Sequence, residues 1–171
     1  MNIFYLDHNV EQCAKYHTDK HVVKMILEYA QLLSTAHRVL DGQKVDKQYV
    51  LDDWREDALY KATHVNHPSA IWTRESSANY EWLVNMLYAL CSEYGYRYGK
   101  VHKVESSGLS FMLKSLPTNI GRSKIFTQPT PAMPDEFIVP GNSIQSYKNY
   151  YIGAKQHLHS WKNREVPEFI V

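Results

Sequence analysis

The sequence predicts a mainly α protein: a single-domain helical bundle over residues 1–171, with a short extended N-terminal segment and a long proline-rich loop. Three observations carry that expectation. Apolar residues recur at three- and four-residue spacing through residues 10–39 and 80–96, the period of a helix with one buried face. Asn2-Ile3-Phe4-Tyr5-Leu6 is a short β-prone run, long enough for a lone strand or for an extended segment laid across helices. Pro117, Pro129, Pro131, Pro134 and Pro140 crowd residues 117–142, and so long a loop in a small domain is usually functional or mobile.

The elements follow in order. Asn9 with Gln12 three residues on has the form of an N-cap with its capping box. The helix it opens either runs unbroken from about Val10 to Val39, or breaks at Thr18, which can cap a second helix. A break would set His17 and Asp19 at a helix N-terminus, a favoured place for an anion. Asp41-Gly42 ends this region, and residues 43–53 read as a polar loop. Residues 54–62 have helical character with Trp54, Ala58 and Leu59 as core contacts, and His64-x-x-His67-Pro68 is an irregular connection. Helix resumes by Ser69, is strongly amphipathic from Tyr80 to Tyr96, and is expected again over 108–116 and 143–162. The final Val166-Pro167-Glu168-Phe169-Ile170-Val171 is apolar enough to dock on the body.

A chain of 171 residues can bury a sizeable core. Thirteen tyrosines and nine histidines suit a surface that stacks on a ligand and also hydrogen-bonds it. The formal charge of +1 argues against holding nucleic acid by bulk electrostatics. Its distribution is uneven, with a balance of −3 over residues 1–92 and +4 over 93–171. Cys13 and Cys91 are too few for a disulfide framework. No apolar run approaches membrane-spanning length and no signal peptide opens the chain. A soluble cytoplasmic protein with no membrane partner is expected.

The stretch densest in chemistry is Tyr16-His17-Thr18-Asp19-Lys20-His21-Val22-Val23-Lys24-Met25-Ile26-Leu27-Glu28. On one continuous helix, His17, His21, Lys24 and Glu28 fall within a wedge of about 60°, opposite Val22, Val23, Ile26, Leu27, Ala30 and Leu33. The histidine pair could share a metal ion, with a third ligand from Asp7, His64 or His67. Alternatively Lys24, crowded by His21 and Lys20, supplies an amine and Glu28 orients or deprotonates it. A solvated helix face with a Lys24–Glu28 surface pair fits the same pattern. Arg74 and Asn79 stand near Trp72 and Tyr80, a combination that suits a phosphate or a base. Residues 94–103 interleave tyrosines with Arg97, Lys100, His102 and Lys103, as nucleic-acid surfaces do. Met133-Pro134-Asp135-Glu136 could close over a site as a lid.

The HxDKHVVKMxLE segment, the HP element followed by WxRESxxNY, and the late AMPDE and YxNYY stretches resemble a set of small phage proteins that carries no assigned activity. The chain also resembles the phage pyrimidine-dimer DNA glycosylases. In that family an early helical His precedes a catalytic Glu, and a Tyr-rich C-terminal segment helps build the DNA site. Those features imply His17 or His21, Glu28, and Tyr147-Lys148-Asn149-Tyr150-Tyr151 here. The family's nucleophile is the α-amine of a small residue exposed by removing Met1. Asn2 is a poor context for that removal, so an amine mechanism needs Met1 itself or an internal amine such as Lys24.

The function expected is a phage-type enzyme acting on a nucleobase or nucleotide in DNA, most concretely a DNA glycosylase/lyase that needs no cofactor. Lys24 is its amine, Glu28 its acid–base group, and His17 and His21 tune them. Arg74 and Arg97 hold phosphate, Tyr150 and Tyr151 stack on a base, and Asn79 and His67 contact substrate. The alternatives are a hydrolase of nucleotides holding a divalent metal ion on His17, His21, His64 and His67, and a binding protein that sequesters a host factor or nucleotide.

Overall fold

The computed structural model describes all 171 residues. Eight α-helices and one two-stranded hairpin make the mainly α architecture the sequence predicts. Asn9 caps α1 (Val10–Tyr16), its side chain accepting from Gln12 N at 3.0 Å. The chain then leaves helical geometry for two residues, with ψ 135° at His17 and 159° at Thr18. Thr18 opens α2 (Asp19–Asp41), its hydroxyl accepting from His21 N. Of the two readings of this region, the broken helix is the one realised.

α2 buries a face rotated from the expected one: Val22, Met25, Ile26, Tyr29, Ala30, Leu32 and Leu33 are inside, and Val23 and Leu27 are about two-fifths exposed. The expected stripe had placed Val23 and Leu27 inside and His21 outside. His21 is instead on the buried face, one turn before Met25.

Residues 43–53 hold a short hairpin, β1 (Gln43–Val45) against β2 (Gln48–Val50), where a polar loop was expected. Three further segments are shorter than the apolar pattern implies: α3 (Arg55–Ala58), α7 (Leu109–Met112), and α8 (Ser143–Ala154), which yields to a 3-10 turn at Gln156–Leu158, while the short α6 (Lys103–Ser106) was not expected. Trp54 is exposed rather than a core contact. Between them, α4 (Pro68–Glu75) and α5 (Ser77–Tyr98) are separated by Ser76, which caps α5 through its hydroxyl.

α5 lies against α1, α2 and α4, and the buried Leu83, Met86, Leu87 and Leu90 make it the spine of the core. Truncating a leucine there should cost about 2–5 kcal/mol. The N-terminal segment enters this core without joining any sheet: Ile3, Phe4, Tyr5 and Leu6 are all buried. The proline-rich stretch runs over the α4–α5 junction as an anchored strap. Ser123 O accepts from Ser77, Thr127 O accepts from the Trp72 indole, and Thr130 O accepts from the Tyr147 hydroxyl. Its backbone groups thus find side-chain partners where no ladder exists.

Candidate active site

The N-terminal segment runs beside the middle of α2, and there its α-amine meets a carboxylate. Met1 N stands 3.4 Å from Glu28 Oε1, with only 4% of the Met1 side chain and 14% of the Glu28 side chain exposed. Lys24, one turn earlier, is exposed and makes no ion pair with Glu28. The partner of Glu28 is therefore the terminal amine, which residue spacing on one helix could not reveal.

His67 borders this pair. It caps α4 with its Nδ1 accepting from Ser69 N at 3.0 Å, so its neutral ring carries the proton on Nε2. Burial, then the Met1 ammonium and His64, hold its pKa below the usual imidazole value, against the pull of Glu28. At neutral pH His67 is thus an uncharged neighbour of the amine. Arg74 is half-buried and donates to Val65 O at 2.8 Å, which ties down the loop bearing His64 and His67. It has no carboxylate partner, and its remaining donors are uncommitted.

His17 and His21 do not share a helix face. His17 is wholly buried at the end of α1, with Nδ1 2.7 Å from Cys13 O and Nε2 3.1 Å from the Tyr29 hydroxyl. Burial pushes its pKa down to about 4. His21 sits in the first turn of α2, stacked on Phe4 with ring centroids 4.1 Å apart, and its Nδ1 lies 2.6 Å from the Tyr151 hydroxyl. Burial first, then His17, Lys155, Lys24 and His157, push its pKa down to about 2. Lys24 and Lys155 are the lysines whose charge acts on this buried imidazole. No three His, Cys, Asp or Glu side chains gather closely enough to hold a metal ion, so the four histidines of the metal alternative do not form a site.

Other residues singled out from the sequence belong to the framework. Arg97 is fully buried and spends four of its N–H donors on Glu93, Asp19 and the carbonyls of His17 and Lys15, out of reach of a phosphate. Asn79 is fully buried, with its amide spent on Trp72 O and on the hydroxyl and N–H of Thr127. Tyr151 is fully buried against His21 and cannot stack on a base. Tyr150 is half-buried, packed on Phe137 with Lys155 Nζ 4.8 Å from its ring centre. Asp19, expected to mark an anion site at a helix N-terminus, meets Arg97, Ser160 and Lys162 N instead.

The helical fold thus brings a half-buried primary amine against a carboxylate. The family model of the pyrimidine dimer DNA glycosylases matches residues 1–106. The chain belongs to that family, and it is a DNA glycosylase, a hydrolase of N-glycosidic bonds whose substrate is DNA. No curated protein and no solved structure matches it. No helix is long and apolar enough to cross a membrane.

Proposed function

We propose that the Met1 α-amine, rather than Lys24, is the attacking nucleophile, that Glu28 is its acid–base partner, and that the lesion is a pyrimidine dimer in duplex DNA. The observation that carries the reading is the 3.4 Å separation between Met1 N and Glu28 Oε1. The family description supports the choice of lesion.

Glu28 accepts a proton from the ammonium, and the neutral amine attacks C1′ of the damaged nucleotide. A new N–C1′ bond forms as the glycosidic C1′–N bond breaks, and the base leaves with the electron pair and takes a proton from solvent. The nitrogen sheds a proton, and the sugar ring opens at C1′–O4′ with O4′ protonated by the Glu28 carboxyl. A protonated Schiff base results. Loss of a C2′ proton then expels the 3′ phosphate, and hydrolysis of the imine frees the amine. Lys24, Lys155 and Arg74 are the cations available to the phosphate backbone, with His157 as a further hydrogen-bonding side chain.

Borohydride trapping on a duplex with one defined pyrimidine dimer tests the assignment. Reduction of the Schiff base should leave the adduct on the tryptic peptide 1–15. An adduct at Lys24, which blocks cleavage there and leaves the adduct on peptide 21–38, would refute it. Glu28→Gln should lower the single-turnover rate at least about 100-fold while leaving binding to the lesion duplex within about threefold.

A further inference from the structure

The N-terminal segment has few polar anchors. Residues 1–5 make no sheet hydrogen bonds, and Ile3, Phe4 and Tyr5 are held by apolar burial, which resists withdrawal but is non-directional. The segment's position along its own axis rests on bonds at Phe4. Its N–H donates to the Tyr29 hydroxyl at 3.0 Å, and its carbonyl accepts from Cys13 Sγ at 3.2 Å.

Tyr29 is itself held in one orientation. Cys13 O can only accept, so His17 Nδ1 carries a proton and donates to it at 2.7 Å. His17 is wholly buried and neutral at physiological pH, which leaves Nε2 bare. The Tyr29 hydroxyl therefore donates to Nε2 at 3.1 Å and keeps its oxygen lone pairs for the Phe4 N–H. Every donor in this chain has one acceptor, from Phe4 N through Tyr29 and His17 to the carbonyl of α1. Tyr29 also follows Glu28 directly in α2. The same helical turn thus holds Phe4 and presents the carboxylate that meets Met1, three residues earlier in the segment.

We propose that Tyr29 and His17 are positioning residues of the glycosylase, a relay that sets the register of residues 1–6 on α2 so that the Met1 amine stands against Glu28. The proposal rests on the reading of Met1 as nucleophile given above. An extended chain advances about 3.3–3.6 Å per residue. A slip of one residue would therefore move the amine by as much as its whole distance to Glu28, 3.4 Å. Displacements of about 1 Å already cost some 100-fold in rate when reacting groups must be aligned.

The test compares Tyr29→Phe with Tyr80→Phe in the full chain. Both variants lose a fully buried phenol hydroxyl that bonds a histidine, and Tyr80 stands away from the N-terminal segment, between His37 and Leu113 O. Three quantities are read: the single-turnover rate on the dimer duplex, the Kd for a duplex bearing an uncleavable abasic analogue, and exchange protection of the Phe4 amide. Tyr29→Phe should lose Phe4 protection and about 100-fold in rate with Kd within about twofold, whereas Tyr80→Phe should keep the wild-type rate. His17→Leu should match Tyr29→Phe and serves if the latter does not fold. His17→Gln, whose amide offers one N–H and one acceptor in place of the two ring nitrogens, should recover most of the rate.

A Tyr29→Phe rate within about threefold of wild type, or a Gln variant as slow as the Leu variant, overturns the relay. A wild-type borohydride adduct on peptide 1–15 alongside either result shows that the relay alone has failed. A wild-type adduct at Lys24 shows that the reading of Met1 has failed, and the relay with it.

Discussion

Acidification from pH 7 to pH 5 should destabilise this protein sharply, before its carboxylates begin to titrate. Burial holds His17 and His37 at about 4 and His21 at about 2. Each is depressed below the value of about 6.5 expected in the unfolded chain, so between those limits the unfolded state binds more protons and stability falls with falling pH. At pH 5 an unfolded imidazole is almost fully protonated, while the folded ones stay largely neutral. That difference is about 2 kcal/mol per histidine relative to pH 7, or about 6 kcal/mol for the three. The paired carboxylates Asp19, Asp41 and Glu93 have pKa values lowered by their hydrogen bonds and ion pairs. Their stabilisation is present above the unfolded value of about 4 and is lost only below it, which leaves the interval from 7 to 5 to histidine. At about 2–4 °C per kcal/mol for a chain of this size, Tm should fall by more than about 10 °C. Scanning calorimetry across that interval is the assay. His37→Gln should remove about a third of the slope. A Tm constant within about 2 °C between pH 7 and 5 would refute the claim that these rings are buried neutral.

Other predictions concern charge and packing. Lys24→Met should leave borohydride trapping intact while reducing the salt dependence of DNA binding by about one unit of slope, measured by fluorescence anisotropy over a salt series. Arg97→Leu leaves Glu93 to Arg164 but strips the His17 and Lys15 carbonyls of their donor, and should cost about 1–3 kcal/mol for each orphaned carbonyl in urea denaturation. Gly153→Ala would drive a Cβ into the Phe137 ring. The ring must shift, and a loss of about 1–3 kcal/mol is expected, read as an earlier urea midpoint with unchanged m value.

Much of the fold was legible in the sequence because helices announce themselves by period and by caps. Asn9, Thr18 and Ser76 each cap a helix through their side chains, and two of these three were visible as spacing signals. Thr18 was readable only as one of two options, since a two-residue break leaves the apolar count on either side almost unchanged. That ambiguity took His17 off the wedge, and tertiary packing did the rest, burying His21 beside it and leaving Lys24 exposed. Glu28 was found by its neighbours on the helix, but its partner lies 27 positions away in sequence, where no local pattern points. Arg97 and Asn79 were misread for a related reason. Guanidinium and amide groups near aromatics suit a ligand, yet the same donors satisfy carbonyls at helix junctions, and composition cannot tell the two apart. Low net charge was similarly a poor guide to a DNA enzyme, because it averages an acidic first half with a basic second half.

The two-residue joint between α1 and α2 is gripped from the far end of the chain. The Tyr151 hydroxyl bonds Thr18 N and His21, Ser160 O accepts from Asp19 N, and the Trp161 indole donates to Tyr16 O. A ribosome delivers Thr18 long before it delivers Tyr151 or Trp161, and domains tend to fold as whole units during synthesis. While the last stretch is still inside the exit tunnel, the nascent chain has its amine, its carboxylate and its family-matched residues, but an unclasped joint. Competence to cut DNA would then arrive late in synthesis, and a message truncated before residue 151 would yield a chain open to proteases rather than a smaller enzyme.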